Sequence, residues 1–205
     1  MRLLLIGAPG AGKGTQAQLI AEHFGLVHIS SGDLLREHVA KGTSIGQTAQ
    51  AFMARGDLVP DAVVLNMLRK PVVAAAAAGG YVLDGFPRTV EQAQTAYGVA
   101  RDLGVSVQLA VYLEVAREAL IDRIVARGLT SGRADDTKEI VERRLDVYEK
   151  HTWPLLDYYR ERECLVNVNG DRPVEEVTWS VIVQLQRAQK QLDAEPAKER
   201  EPGTL

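Results

Sequence analysis

Leu3-Leu4-Leu5-Ile6-Gly7-Ala8-Pro9-Gly10-Ala11-Gly12-Lys13-Gly14-Thr15 runs from an apolar strand, through a glycine-rich turn, into an amphipathic helix. The glycines permit backbone angles that turn successive amide N–H groups inward, and the helix start adds further N–H donors and the positive end of its dipole. Lys13 places a compact cation against the β and γ phosphates of a nucleotide. The strict phosphate-loop pattern sets Ser or Thr directly after the lysine, whereas here Gly14 intervenes and the hydroxyl arrives at Thr15. The spacing indicates a nucleoside triphosphate. It does not say what is done with it, because switches, motors and small-molecule kinases share the loop.

Outward from this loop, short apolar segments alternate with longer amphipathic ones, the pattern of βαβ units and a parallel sheet. Five candidate strands cover Leu3 to Ile6, Leu26 to Ile29, Tyr81 to Leu83, Val107 to Leu113 and Leu165 to Val168. Helical patterns fall between them, closed by Gly25 after Gly12 to Phe24 and by Gly104 after Thr89 to Leu103. An α/β fold follows. Two stretches interrupt the alternation. Between the second and third strands lie helical patterns over Asp33 to Lys41 and Ser44 to Arg55, more than a crossover requires, so part of this region reads as an insertion. Gly128 to Thr137 reads as a polar, glycine-punctuated loop, either plain surface or a mobile cover. Val72 to Ala78 reads as buried helix, and from about Lys190 the chain reads as a solvated tail.

A chain of 205 residues allows one domain with elaborations. With 46% hydrophobic and 25% charged residues it is an ordinary globular composition, against wholesale disorder. The formal charge of -3 supplies no global positive field to gather nucleic acid or an anionic membrane. No apolar run approaches the ~20 residues of a membrane span. Cys164, alone, forms neither an intramolecular disulfide nor a thiolate metal cluster, and the expected compartment is a reduced cytoplasm.

The residues after the third strand sharpen the chemistry. In Leu83-Asp84-Gly85-Phe86-Pro87-Arg88-Thr89, Asp84 stands at the C-terminal end of a strand, where ligands of open α/β sheets collect. It suits either a magnesium-holding carboxylate or a turn residue. Arg88, four positions on, can grip a phosphate at two oxygens. Arg123 and Arg127 are one helical turn apart, Arg133 lies in the polar loop and Arg144 on the next helix. Each taken alone fits a solvated helix face; together they bracket a loop beside a phosphate cradle. His23, His28, His38 and His151 are scattered and read as structural or surface residues.

These motifs together resemble the adenylate kinases of the bacterial type, over about residues 1–185. The resemblance rests on GAPGAGKGTQA at 7–17, ISSGDLLR at 29–36, GDLVP at 56–60, LDGFPRTVEQA at 83–93, DRIVAR at 122–127, GRADD at 132–136 and RRLDVYEKHTWPLLDYY at 143–159. It implies a five-stranded parallel sheet with helices on both faces, in one kinase domain over 1–190. A monophosphate-binding insertion would span about 30–59, a short lid about 127–137 and a tail 191–205. By position, Gly10, Ala11, Gly12, Lys13, Gly14 and Thr15 would wrap the ATP phosphates, with Arg123, Arg127 and Gly170 on the same side. Ser31, Arg36, Asp57, Leu58, Val59, Gly85, Phe86, Pro87, Arg88 and Gln92 would bind AMP. Arg133 and Arg144 would close on the transferring phosphoryl group, so that Lys13, Arg88, Arg123, Arg133 and Arg144 carry catalysis.

Magnesium would be held mainly by nucleotide phosphates and water, with Asp84, Thr15 and Asp33 nearby, and no structural zinc is expected in the short lid. The resemblance also implies a monomer whose partners are ATP, AMP and ADP, with no nucleic acid or membrane. Ser31 departs from the Thr of many relatives, keeping the hydroxyl and losing a methyl. The nearest rival is a kinase acting on UMP or CMP; Thr89 and Gln92 favour AMP. A phosphate oxygen whose second pKa is about 6 is already mostly deprotonated at neutral pH. No general base is therefore needed, and the demand falls on magnesium, Lys13 and arginines.

Overall fold

The computed structural model describes residues 1–131 and 138–194, with side chains over 1–126 and 139–190. Five parallel strands, β1 (Arg2–Ile6), β2 (Val27–Ser30), β3 (Tyr81–Asp84), β4 (Leu109–Glu114) and β5 (Leu165–Asn169), form one sheet in the order β2-β3-β1-β4-β5. The expected strands are all present, with ends shifted by one or two residues. The central strand pairs Leu4 with Leu83 on one side and with Ala110 on the other. Chain order reverses at β1, so its C-terminal end opens onto a crevice between neighbours reached in opposite directions.

Because helices cover both faces, the inner strands β3, β1 and β4 carry near-continuous apolar runs, whereas the edge strands, Val27-His28-Ile29-Ser30 and Leu165-Val166-Asn167-Val168-Asn169, alternate apolar and polar residues. Leu3, Leu4 and Leu5 are all buried. Leu3, Leu5, Val82, Val111 and Leu113 pack with Ile20 of α1 (Lys13–Phe24), Ile124 of α6 (Arg117–Ser131) and Leu185 of α9 (Val174–Ala194). Leu4, Ile6, Tyr81, Leu83 and Tyr112 face the other way. There they meet Leu68 of α4 (Asp61–Ala77), Ala93 of α5 (Val90–Asp102) and Leu155 of α8 (Pro154–Arg160). Between β2 and β3 stand α2 (Ser31–Ala40) and α3 (Ser44–Arg55) ahead of α4, and α7 (Lys138–Val147) continues into a π-helical turn, Tyr148–Thr152.

Local chemistry sets the helix starts. Ser30, Thr43 and Thr89 each accept a backbone N–H with the side-chain oxygen, from Asp33, Gly46 and Gln92 respectively. Gly46 lets α3 lie against α2, since a Cβ there would sit 2.1 Å from the His38 carbonyl oxygen.

Three expectations are corrected. The Val72 to Ala78 stretch lies in and just beyond the second half of α4 and mostly faces solvent, with Ala75 its buried residue. Alanine favours a helix whether or not it is covered, so its abundance was no sign of burial. The polar loop expected from Gly128 begins as helix, because α6 continues to Ser131; residues 132–137 lie outside the described residues. The tail expected from 191 begins within α9, which runs to Ala194. No described helix is long and apolar enough to cross a membrane.

Candidate active site

The turn between β1 and α1 holds Gly10 at φ 84° and Gly12 at φ 89°, a region of backbone space that L side chains seldom adopt. Gly10 also has no room for a side chain: a Cβ would meet Ile124 Cγ1 at 2.7 Å and the Leu120 carbonyl at 2.9 Å. The loop is thus seated directly on α6. Gly12 opens α1 without a side-chain cap, so first-turn N–H groups and the helix dipole face the turn. The Lys13 ammonium folds back over the loop, donating to the carbonyls of Gly7 at 2.8 Å and Ala8 at 2.9 Å. Ala11 is buried, while Gly14 and Thr15 are exposed on the first turn.

Asp84 ends β3 in register with Leu5 of β1 and is 8% exposed. Its Oδ2 lies 3.9 Å from where a Cβ on Gly14 would stand, so the carboxylate faces the start of α1. On the other flank, Arg123 donates to the Gly170 carbonyl at 3.1 Å and to Asp171 Oδ1 at 3.0 Å. Gly170 is confined by Val115, whose Cγ2 would be 2.8 Å from a Cβ. Arg123 and Gly170 are therefore together, as expected. Asp171, a second partner of Arg123, was not anticipated.

Beyond β3 lies a cavity of about 620 Å³ counting its open mouth, which gathers the expected Ser31, Arg36, Asp57, Leu58, Val59, Gly85, Phe86, Arg88, Gln92 and Arg144. Pro87 follows Phe86 through a cis peptide. Ser31 is 1% exposed, and its Oγ is buried without a hydrogen-bond partner, a polar atom aimed where a ligand can satisfy it. Gly85, at φ 81°, leaves that hydroxyl room, since a Cβ would stand 2.6 Å from Ser31 Oγ. Arg88 donates from Nε to the Gly85 carbonyl at 2.8 Å, and its own carbonyl accepts from Thr152 Oγ1 at 2.8 Å.

Several polar groups have protein partners that the sequence did not reveal. Gln92 is 3% exposed, donates to Asp61 Oδ1 at 2.7 Å and accepts from the Arg88 backbone N–H at 2.7 Å. The Asp57 carboxylate accepts from Arg143 at 2.8 and 2.6 Å and from Arg55 at 3.0 Å. The Arg143 guanidinium first, then that of Arg55, hold the Asp57 carboxyl below the usual carboxylate range. Asp33 pairs with Arg36 at 2.5 Å. Asp61 could have been noticed as an acid in the first turn of a helix. Thr152 and Arg143 carry no local signal.

The Arg127 side chain and all of Arg133 lie outside the described residues. Among the described residues, no group of three or more His, Cys, Asp and Glu side chains could hold a metal ion. Asp84 beside the first turn of α1 fits an ion that takes most of its ligands from phosphate and water.

Comparison with known proteins agrees with this arrangement. The profile of the family described as adenylate kinase matches residues 5–164. The chain is 43% identical over 181 residues to an adenylate kinase of Leptospira biflexa, covering 88% of this chain and 97% of the relative. It is 46% identical over 177 residues to one of Synechococcus sp., covering 86% and 94%, and 42% identical over 185 residues to one of Thermobifida fusca, covering 90% and 98%. With a family match over most of its length and relatives similar nearly end to end, this chain belongs to the adenylate kinase family.

Proposed function

We propose that this chain catalyses the reversible, magnesium-dependent transfer of the terminal phosphoryl group of ATP to AMP, giving two ADP. The observation that carries this reading is the juxtaposition of two anion-handling places at the C-terminal ends of neighbouring strands. One is the cradle that follows β1; the other is the arginine-lined cavity beyond β3.

ATP occupies the cradle, with Gly10, Ala11, Gly12, Lys13, Gly14 and Thr15 around its phosphates and Arg123, Arg127 and Gly170 on the same side. AMP occupies the cavity between Ser31, Arg36, the Asp57 to Val59 segment, the Gly85 to Arg88 turn and Gln92. Lys13, Arg88, Arg123, Arg133 and Arg144 bring two repelling polyanions together and neutralise the spreading charge of a loose transition state. Asp84, with Thr15 and Asp33 nearby, would hold magnesium mainly through the nucleotide phosphates and water, and the ion would supply charge that offsets the repulsion between the phosphates. Asp33 meanwhile pairs with Arg36 through its Oδ1. The Asp57 contribution comes from its backbone, since its carboxylate is committed to arginines.

The phosphate nucleophile of AMP needs no proton removed at neutral pH, consistent with a cavity whose polar lining is Arg36, Arg88, Arg144, the Gln92 amide, the Ser31 hydroxyl and an Asp57 carboxylate already engaged by Arg143 and Arg55. The enzyme acts as a cytoplasmic monomer on free nucleotides, without nucleic acid or membrane. Coupled assay of ADP from ATP and AMP tests the activity. ADP should form only when both nucleotides and magnesium are present, and its absence under those conditions would overturn the reading.

A further inference from the structure

Gln92 lines the cavity through an amide whose orientation is determined by its two partners. Asp61 is a carboxylate and only accepts; the backbone N–H of Arg88 only donates. The group 2.7 Å from Asp61 is therefore the amide nitrogen, and the group 2.7 Å from the Arg88 N–H is the amide oxygen. Turned over, the amide would set oxygen against carboxylate and NH2 against N–H, losing both bonds and adding two repulsions. One N–H and one oxygen lone pair remain beyond these bonds.

We propose that Asp61 is a specificity-determining residue that, by locking the Gln92 amide, makes the site accept a 6-aminopurine monophosphate and refuse a 6-oxopurine one. The inference rests on the reading that AMP occupies this cavity with its base against Gln92. A 6-aminopurine presents an acceptor ring nitrogen beside a donor amino group. A 6-oxopurine presents the reverse, a donor ring N–H beside an acceptor oxygen. An amide free to rotate satisfies either edge by flipping, and so reads neither. An amide pinned by Asp61 and by the Arg88 N–H matches one edge and opposes the other at both positions. The residue that discriminates is thus one that need not touch the base.

Asp61 also stands in the first turn of α4, where an acid stabilises the helix start through its dipole. That local role would lower thermal stability on substitution but leave selectivity among nucleotides unchanged, so selectivity is the deciding readout. The residue itself is exposed, and replacing it leaves both apolar clusters intact.

The test compares kcat/KM for AMP and for inosine monophosphate, with ATP as donor, in the wild type, Asp61→Ala, Asp61→Asn and Gln92→Leu. In Asp61→Ala the AMP preference should fall by about tenfold or more, the scale at which a satisfied polar contact separates substrates. Asp61→Asn, whose side-chain oxygen still accepts from Gln92, should retain most of the preference. An unchanged preference in Asp61→Ala, with a collapsed one in Gln92→Leu, would overturn the role of Asp61 alone. An unchanged preference in Gln92→Leu would overturn the placement of the base, and the proposal with it.

Discussion

Arg88 is held at three points of its own residue. The backbone N–H reaches Gln92 Oε1 at 2.7 Å, Nε reaches the Gly85 carbonyl at 2.8 Å, and the carbonyl accepts from Thr152 at 2.8 Å. The two backbone bonds hold the turn that carries Arg88, the Nε bond directs a guanidinium whose length would otherwise let it sample many rotamers, and preorganised charge is where catalysis of phosphoryl transfer gains most. Arg88→Ala should therefore lower kcat by about 10²–10³-fold while the protein folds normally, because the side chain belongs to neither apolar cluster. Near-normal turnover in a steady-state assay would show that Arg88 is not at the phosphate. The motif Gly85-Phe86-Pro87-Arg88 was legible in the sequence because four chemically distinctive residues stand side by side. Thr152 was not, because it lies 64 positions away and a lone threonine in a helical stretch announces nothing. The same holds for the Asp61–Gln92 pair, 31 positions apart.

At the scale of elements, β1, β3 and β4 could be read from sequence because burial on both faces makes them nearly unbroken apolar runs, and the edge strands β2 and β5 because apolar residues recur at every second position. Helix ends were harder: α9 continues through Gln189, Lys190, Gln191 and Asp193, which need no apolar partner to stay helical, and α6 continues through Gly128, Thr130 and Ser131 against their weak helical propensity. What joins one element to another was harder still. Asp57, just past the end of α3, is gripped by Arg143 of α7, so an acid of the segment lining the cavity is tied to the helix that follows residues 132–137. The pair is solvent-facing and its strength should depend on ionisation and on salt. Since the folded-state pKa of Asp57 is depressed, the stabilisation it brings is complete above the unfolded value of about 3.9 and is lost as pH falls through the folded one. Thermal melts of the wild type and Asp57→Asn should accordingly differ at neutral pH and low salt. The gap should narrow with added salt and begin to close only as pH falls below about 4. A difference that persists unchanged in acid would assign the effect to packing instead of charge.

Across the whole molecule, the charge of -3 conceals a local arrangement, with Arg36, Arg88 and Arg144 lining one cavity and Arg123 beside Gly170, both places lying past the C-terminal ends of the strands. Nothing in their spacing set the tyrosines apart. Of six, Tyr81, Tyr112, Tyr148, Tyr158 and Tyr159 are buried, and they serve the apolar clusters on both faces of the sheet. Burial raises the hydroxyl pKa of each, that of Tyr81 to about 12, where its O–H donates to the Val105 carbonyl at 2.7 Å. In the unfolded chain tyrosine ionises near pH 10, so between about 10 and 12 the unfolded state holds fewer protons and stability falls as pH rises. Two pKa units at Tyr81 alone amount to about 2.7 kcal/mol by pH 12. Against the 5–15 kcal/mol typical of a domain, several such groups suffice to unfold the protein. Alkaline titration should therefore show most of the tyrosinate absorbance appearing in one step, together with the loss of helical circular dichroism. Tyr81→Phe should be less stable at neutral pH by about 1–3 kcal/mol, because the Val105 carbonyl loses its donor, yet should lose less between pH 10 and 12 than the wild type. Tyrosinate absorbance that develops fully near pH 10 with the helical signal intact would mean that these hydroxyls reach water in the native state.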